Sequence, residues 1–232
     1  MGLGTSAQRS VLVTGWRERR KPHIRRRAPL GISAVAITLL LTACGTPQDD
    51  LFRAARSGEV AAARNAIAAK VDVNAKRDGE TPLIAASAAC QLGIVNVLLA
   101  SGAKLNEQGR DRSFHFMAPV GSTPLMAAAR QSGPNCTSVA KRLINAGADV
   151  NVQDPDGRSA LYSAALNGQL DTVRLLLAAG ADIDGGPGAH DTPLDGATLP
   201  DSIPDQAKPR AEVAKLLREL GGTQRERWGQ NP

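Results

Sequence analysis

Residues 156–184 read DGRSALYSAALNGQLDTVRLLLAAGADID. Ser159 suits a helix N-cap, because its hydroxyl can accept from a backbone N–H of the first turn. Ala164 and Ala165 let a neighbouring helix approach closely. Val173, Leu176 and Leu177 form the apolar stripe of a second helix, and Gly180 supplies the left-handed residue that ends it. One such hairpin cannot bury its apolar face alone, so the stretch predicts neighbours of the same kind.

The neighbours are present. Residues 78–106, 121–151 and 191–221 carry the same pattern, with Thr81, Thr123 and Thr192 standing where Ser159 stands. Three copies place a proline directly after the threonine, at the first helical position, where its missing N–H costs nothing. Ala85-Ala86 and Ala128-Ala129 repeat the alanine pair, and Gly102 and Gly147 repeat the helix-ending glycine. The Thr/Ser positions are 42, 36 and 33 residues apart. A fixed period near 33 with Gly-Ala-Asp-Val-Asn endings resembles the ankyrin repeat family. An earlier stretch, Leu51 to Asn74, fits the same register and reads as a capping repeat.

The resemblance implies an all-α repeat solenoid of helix-turn-helix units joined by β-fingers, about five repeats including caps. The expected repeats are 49–76, 77–108, 121–153, 154–185 and 186–222, with an extended finger over 107–122 and a tail over 223–232. Arg53, Arg56 and Glu59 suit one solvated end; Arg218, Glu219, Arg225 and Arg227 suit the other. In one respect the chain departs from the family. Ankyrin repeats commonly follow Thr-Pro-Leu with a histidine that bonds to the next repeat, whereas this chain has Ile84, Met126, Tyr162 and Asp195. Weaker hydrogen bonding between repeats and modest stability are expected.

The N-terminus is a different kind of sequence. Residues 1–43 carry eight basic side chains and one acid, a charge of +7, so the remainder of this +6 chain sits at −1. The basic balance therefore does not argue for nucleic-acid binding by the body of the protein. Arg25-Arg26-Arg27 precedes an apolar run from Leu30 to Leu41 that is too short to span a bilayer comfortably. It fits the apolar region of a secretory signal peptide over 1–43. Leu41-Thr42-Ala43-Cys44 resembles a bacterial lipobox, which implies cleavage before Cys44 and acylation of that cysteine. Residues 44–48 would be a short tether. Gly45, where an Asp would retain a lipoprotein at the inner membrane, points to the periplasmic face of the outer membrane. An N-terminal stretch this long before Arg25 also suggests a translation start placed too early.

Two insertions break the repeat. Between Asn106 and Thr123 the chain is longer than between Asn151 and Ser159, which lengthens one finger over Glu107 to Ser122. That finger holds Arg110, Arg112, Phe114, His115, Phe116 and Met117. Phe114 and Phe116 share one side of an extended strand. They either anchor a partner, as aromatic and Arg side chains do in interfaces, or fold back onto adjacent fingers. The second insertion, Leu199 to Lys208, is rich in proline and predicts an irregular surface loop. Cys90 and Cys136 map to the turns between the two helices of adjacent repeats. Either they form a disulfide, as an oxidising compartment allows, or they are two buried thiols.

No catalytic or metal constellation appears. His115 and His190 lack Cys/His partners at ligand spacing. Asp182, Asp184, Asp191 and Asp195 read as solvated finger residues rather than a calcium site. The expectation is a non-enzymatic module without cofactor: a monomer that binds another protein, is held at the membrane through Cys44, and takes no nucleic acid. Its surface, carried over from where ankyrin proteins contact partners, would be Arg77, Asp78, Arg112, Phe114, Phe116, Asp154 and Arg158 on the fingers. The inner helices would add Arg130, Gln131, Leu166 and Asn167. Inhibition or neutralisation of a secreted toxin and protection against oxidative stress are two roles such a module could serve.

Overall fold

A computed structural model describes residues 45–110, 120–199 and 207–224. The signal segment, Cys44, Arg112, Phe114, His115, Phe116, Met117, the loop 200–206, and Arg225 and Arg227 lie outside the described residues. Ten helices are present among the described residues, in five hairpins. They are α1 Pro47–Ser57 with α2 Val60–Ala68, α3 Pro82–Ala88 with α4 Leu92–Ala100, and α5 Pro124–Arg130 with α6 Pro134–Asn145. α7 Ala160–Leu166 pairs with α8 Leu170–Ala178, and α9 Pro193–Thr198 with α10 Ala207–Glu219.

The inner helices α1, α3, α5, α7 and α9 pack in sequence, and the outer helices α2, α4, α6, α8 and α10 pack in sequence behind them. The inner helices α3, α5, α7 and α9 start as the sequence predicts. Thr81, Thr123, Ser159 and Thr192 accept through their hydroxyls from the N–H groups of Ile84, Met126, Tyr162 and Asp195, at 3.1–3.3 Å. The central inner helices are short and alanine-rich, and every residue from Pro82 to Ser87, Pro124 to Ala129 and Ala160 to Ala165 is buried. Outer helices end as expected. Gly102, Gly147 and Gly180 take left-handed backbones, and the next residue's N–H bonds back to Leu98, Leu143 and Leu176 at 3.0 Å.

Four details differ from the expectations. Helix α1 begins at Pro47, inside the stretch read as a tether, because Thr46 caps it and forms a reciprocal box with Asp49. The first helix thus gains a turn ahead of Asp49, the position in register with Thr81. Hydrogen bonds from the Thr46 N–H and hydroxyl hold the Asp49 carboxyl below its usual range. Second, the loop expected over Leu199 to Lys208 ends sooner, because α10 begins at Ala207; Pro209 lies in its first turn, where a proline removes no helical bond. Third, Cys136 sits in the first turn of α6 and is buried, rather than in the turn before it. Fourth, the chain is still bound to the stack at Thr223 and Gln224, beyond the expected boundary at 222.

Hydrogen bonding between repeats is also richer than expected, because two ladders run across the stack. In the first, Asn74 accepts from the Lys104 N–H at 2.8 Å and donates to the Gly102 carbonyl. Asn106 accepts from the Asp149 N–H, Asn151 bonds Asp182 and Gly180 in the same way as Asn74, and Asp184 accepts from the Thr223 N–H at 2.7 Å. The second ladder lies two residues further on. The Lys76 ammonium donates to the Gln108 carbonyl at 2.9 Å, the Gln108 amide to Gln153, and the Gln153 amide to Gly185. The missing histidine is offset by these bonds, which fix the spacing of successive fingers. Asp182 and Asp184 are part of the same construction, since Asp182 also accepts from the Asp184 N–H.

Candidate binding surface

With their middles buried, the central inner helices α3, α5 and α7 expose only their C-terminal ends. Arg130 and Gln131 follow α5, and Leu166 and Asn167 follow α7; all four are half-buried. Because α5 and α7 pack directly on each other, these two pairs are neighbours in one row, which Ala88 and Ala89 extend at the end of α3. The fingers form the opposite margin. A seven-residue helix at 1.5 Å per residue sets the two margins about 10 Å apart.

The first finger is a tight hairpin in which Arg77 pairs with Glu80 through both backbone bonds. Asp78 and Gly79 both have positive φ, 52° and 86°, the signature of a two-residue turn. Arg77 and Asp78 are exposed, and the Arg77 guanidinium pairs with Asp49 at 2.7 Å. The third finger is organised by Asp154. Its carboxylate accepts from the N–H groups of Asp156 and Arg158 at 3.0 and 2.8 Å and is only 8% exposed. Burial raises the Asp154 pKa against the lowering effect of these bonds. Asp154 therefore shapes the finger from inside and is removed from the expected contact set. Arg158 remains in it: paired with Asp156 at 3.2 Å, its guanidinium lies over the Tyr162 ring, 5.5 Å from the centroid. Burial likewise raises the Tyr162 pKa. The ring has room because Gly196 packs against it, where a Cβ would stand 3.1 Å away.

Gly109 and Ser122 form a bridge at the root of the extended finger. Arg110 and Val120, next to that bridge, are exposed, Val120 at 59%. Val120 escaped the sequence reading because a lone apolar residue in a loop carries no periodic signal. At the first repeat an open depression of roughly 570 Å³ is lined by Asp49, Phe52, Arg53, Arg56 and Arg77 among others. Its arginines are paired with Asp50, Glu80 and Asp49, which neutralises them. Among the described residues no group of three His, Cys, Asp or Glu side chains is placed to hold a metal.

Cys90 and Cys136 form a disulfide with Cα atoms 4.6 Å apart, tying the second repeat to the third.

A family pattern described as "Ankyrin repeat" matches residues 78–110, and one described as "Ankyrin repeats (3 copies)" matches residues 110–185. Residues 78–185 are ankyrin repeats. The chain is 34% identical over 152 residues to neurogenic locus notch homolog protein 1 of Xenopus tropicalis, covering 64% of this chain and 6% of that protein. It is 35% identical over 150 residues to the Mus musculus protein of that name, with the same coverage. It is 36% identical over 107 residues to the ankyrin repeat and KH domain-containing protein mask-1 of Caenorhabditis elegans, covering 46% of this chain and 4% of that protein. The chain thus spans a small fraction of these relatives, and the likeness concerns their ankyrin regions. Ankyrin repeats are protein–protein interaction modules, in keeping with a surface that offers arginine, amide and aliphatic groups in rows.

Proposed function

We propose that the chain is a lipid-anchored protein-binding module of the bacterial periplasm, attached through Cys44 to the outer membrane and acting as a scaffold or inhibitor. The observation that carries this reading is the disulfide between Cys90 and Cys136. Disulfides of this structural kind persist in oxidising compartments and are rare in the cytosol. The export signal over 1–43 and the lipobox ending in Cys44 supply a route to such a compartment. Several acyl chains, at about 0.8 kcal/mol per buried CH₂, would make the attachment effectively permanent.

The partner would lie along the row Arg130, Gln131, Leu166 and Asn167, with Arg77, Asp78 and Arg158 on the fingers. Arg112, Phe114 and Phe116 of the extended finger would reach over it. Fractionation of cells expressing the chain and its Cys44→Ser variant tests the location. The native chain should partition with membranes as an acylated polypeptide beginning at Cys44, and the variant should not. A native chain recovered from the cytosol with both remaining thiols reduced would overturn the reading.

A further inference from the structure

Cys90 occupies a position that the first and fourth repeats give to glycine. Gly58 and Gly168 turn the chain between inner and outer helix with φ of 82° and 64°, and Cys90 does the same with φ 55°. A side chain other than glycine is strained there. Cys136 also departs from the repeat. It follows the inserted Ser132 to Asn135 and rides on α6, which at 12 residues is longer than the 9-residue α4 and α8. Both departures serve one bond, joining the hairpin turn of the second repeat to the first turn of α6 in the third, at the end remote from the fingers.

The first ladder has a single hydrogen bond across that boundary, which the Arg142–Asn96 bond at 2.7 Å and the backbone pair between Gly109 and Ser122 also cross. Asn74 and Asn151 each accept and donate across their boundaries. Asn106 only accepts, from the Asp149 N–H at 3.0 Å. The bridged residues Gly109 and Ser122 lie on either side of the same boundary. In a solenoid each repeat leans only on its neighbours, so a cross-link over one boundary decides whether the two-repeat block on one side can open without the three-repeat block on the other.

We propose that Cys90–Cys136 is a redox latch on this boundary. Oxidised, it keeps the two blocks of the stack continuous; reduced, the block α1–α4 opens before the block α5–α10. Opening would interrupt the binding row between Ala89 and Arg130. A dithiol reductant would supply two electrons and two protons. Its thiolate attacks the Sγ of Cys90, the less buried partner, forming a mixed disulfide and expelling the Cys136 thiolate, which takes up a proton. The second thiol of the reductant then displaces Cys90, leaving two cysteine thiols and an oxidised dithiol. The 46-residue separation sets the largest loop-closure effect at about a thousandfold in the opening equilibrium.

The inference concerns the purified protein and stands apart from where the protein resides. Hydrogen exchange is measured on the mature chain from Cys44 onward, oxidised, reduced with dithiothreitol, and as the Cys90→Gly/Cys136→Ser double variant. The glycine restores the residue type found at positions 58 and 168, so the variant should fold without strain at that turn. In the reduced protein and in the variant, amides of α1–α4 should exchange at least tenfold faster than in the oxidised protein. Those of α7–α10 should change less than threefold. Equal acceleration in every repeat would make the bond a general staple and overturn the latch. Unchanged exchange, or acceleration confined to α7–α10, would overturn it as well.

Discussion

Gly157 in the third finger offers the sharpest test of how the fingers are stacked. Its φ is 73°, and a Cβ there would stand 2.6 Å from the Gly188 carbonyl oxygen, 2.9 Å from the Ala189 Cα and 3.1 Å from the His190 nitrogen. All three are backbone atoms of the next finger, so the whole finger must move for Gly157→Ala to be accommodated. The left-handed backbone costs alanine about 1–2 kcal/mol, and forcing a methyl group against packed backbone adds about 1–3 kcal/mol. Gly147 is the control. Its φ is also positive, at 94°, but a Cβ there meets nothing within 4 Å, so Gly147→Ala should incur only the first cost. At about 2–4 °C per kcal/mol for a chain of this size, Gly157→Ala should melt several degrees below Gly147→Ala. Thermal and urea unfolding followed by circular dichroism would measure both. Equal losses in the two variants would refute the close contact between the third and fourth fingers.

The remaining predictions concern single side chains. Asn151→Ala deletes two inter-repeat hydrogen bonds and should lower stability by about 1–3 kcal/mol in urea, since each bond contributes about 0.5–1.5 kcal/mol. Thr81→Ala removes the cap of α3 and should lose about 1 kcal/mol by the same assay. Asp154 has a folded pKa raised above the ordinary 3.8 by burial. Its contribution to stability is therefore fully present below that pH and is lost as pH rises through the folded value. Asp154→Asn keeps an oxygen for both backbone donors and should remove this pH dependence, so the variant gains on the native chain as pH climbs above 3.8. Alanine at Phe114 and Phe116 should abolish partner capture while the helical circular dichroism stays unchanged; retained capture would exclude them as anchors.

The fold was legible because its determinants are local and repeated. Thr81, Thr123, Ser159 and Thr192 announce each inner helix, and Gly102, Gly147 and Gly180 close each outer one. The nearness of Cys90 and Cys136 could also be read, because both fall close to the junction of inner and outer helix in consecutive repeats. Less legible were features that depend on side-chain direction. Lys76, Gln108 and Gln153 recur two residues after Asn74, Asn106 and Asn151, but exposed Lys and Gln carry no hydrophobic signal, so their ladder stayed hidden. Asp154 looked like a surface group for the same reason: burial within a turn leaves no mark on charge or periodicity. Thr46-Pro47 repeats the capping motif one turn upstream of its register position, and an out-of-register cap is invisible to a search by period.

The central claim is that a partner lies along the row at the C-terminal ends of the inner helices. A photo-activated cross-linking side chain at Gln131, compared with one at the exposed Lys141 of outer helix α6, tests it most directly in intact cells. The account predicts a discrete partner adduct from position 131 and none from position 141. An adduct from position 141 with none from 131 would contradict it.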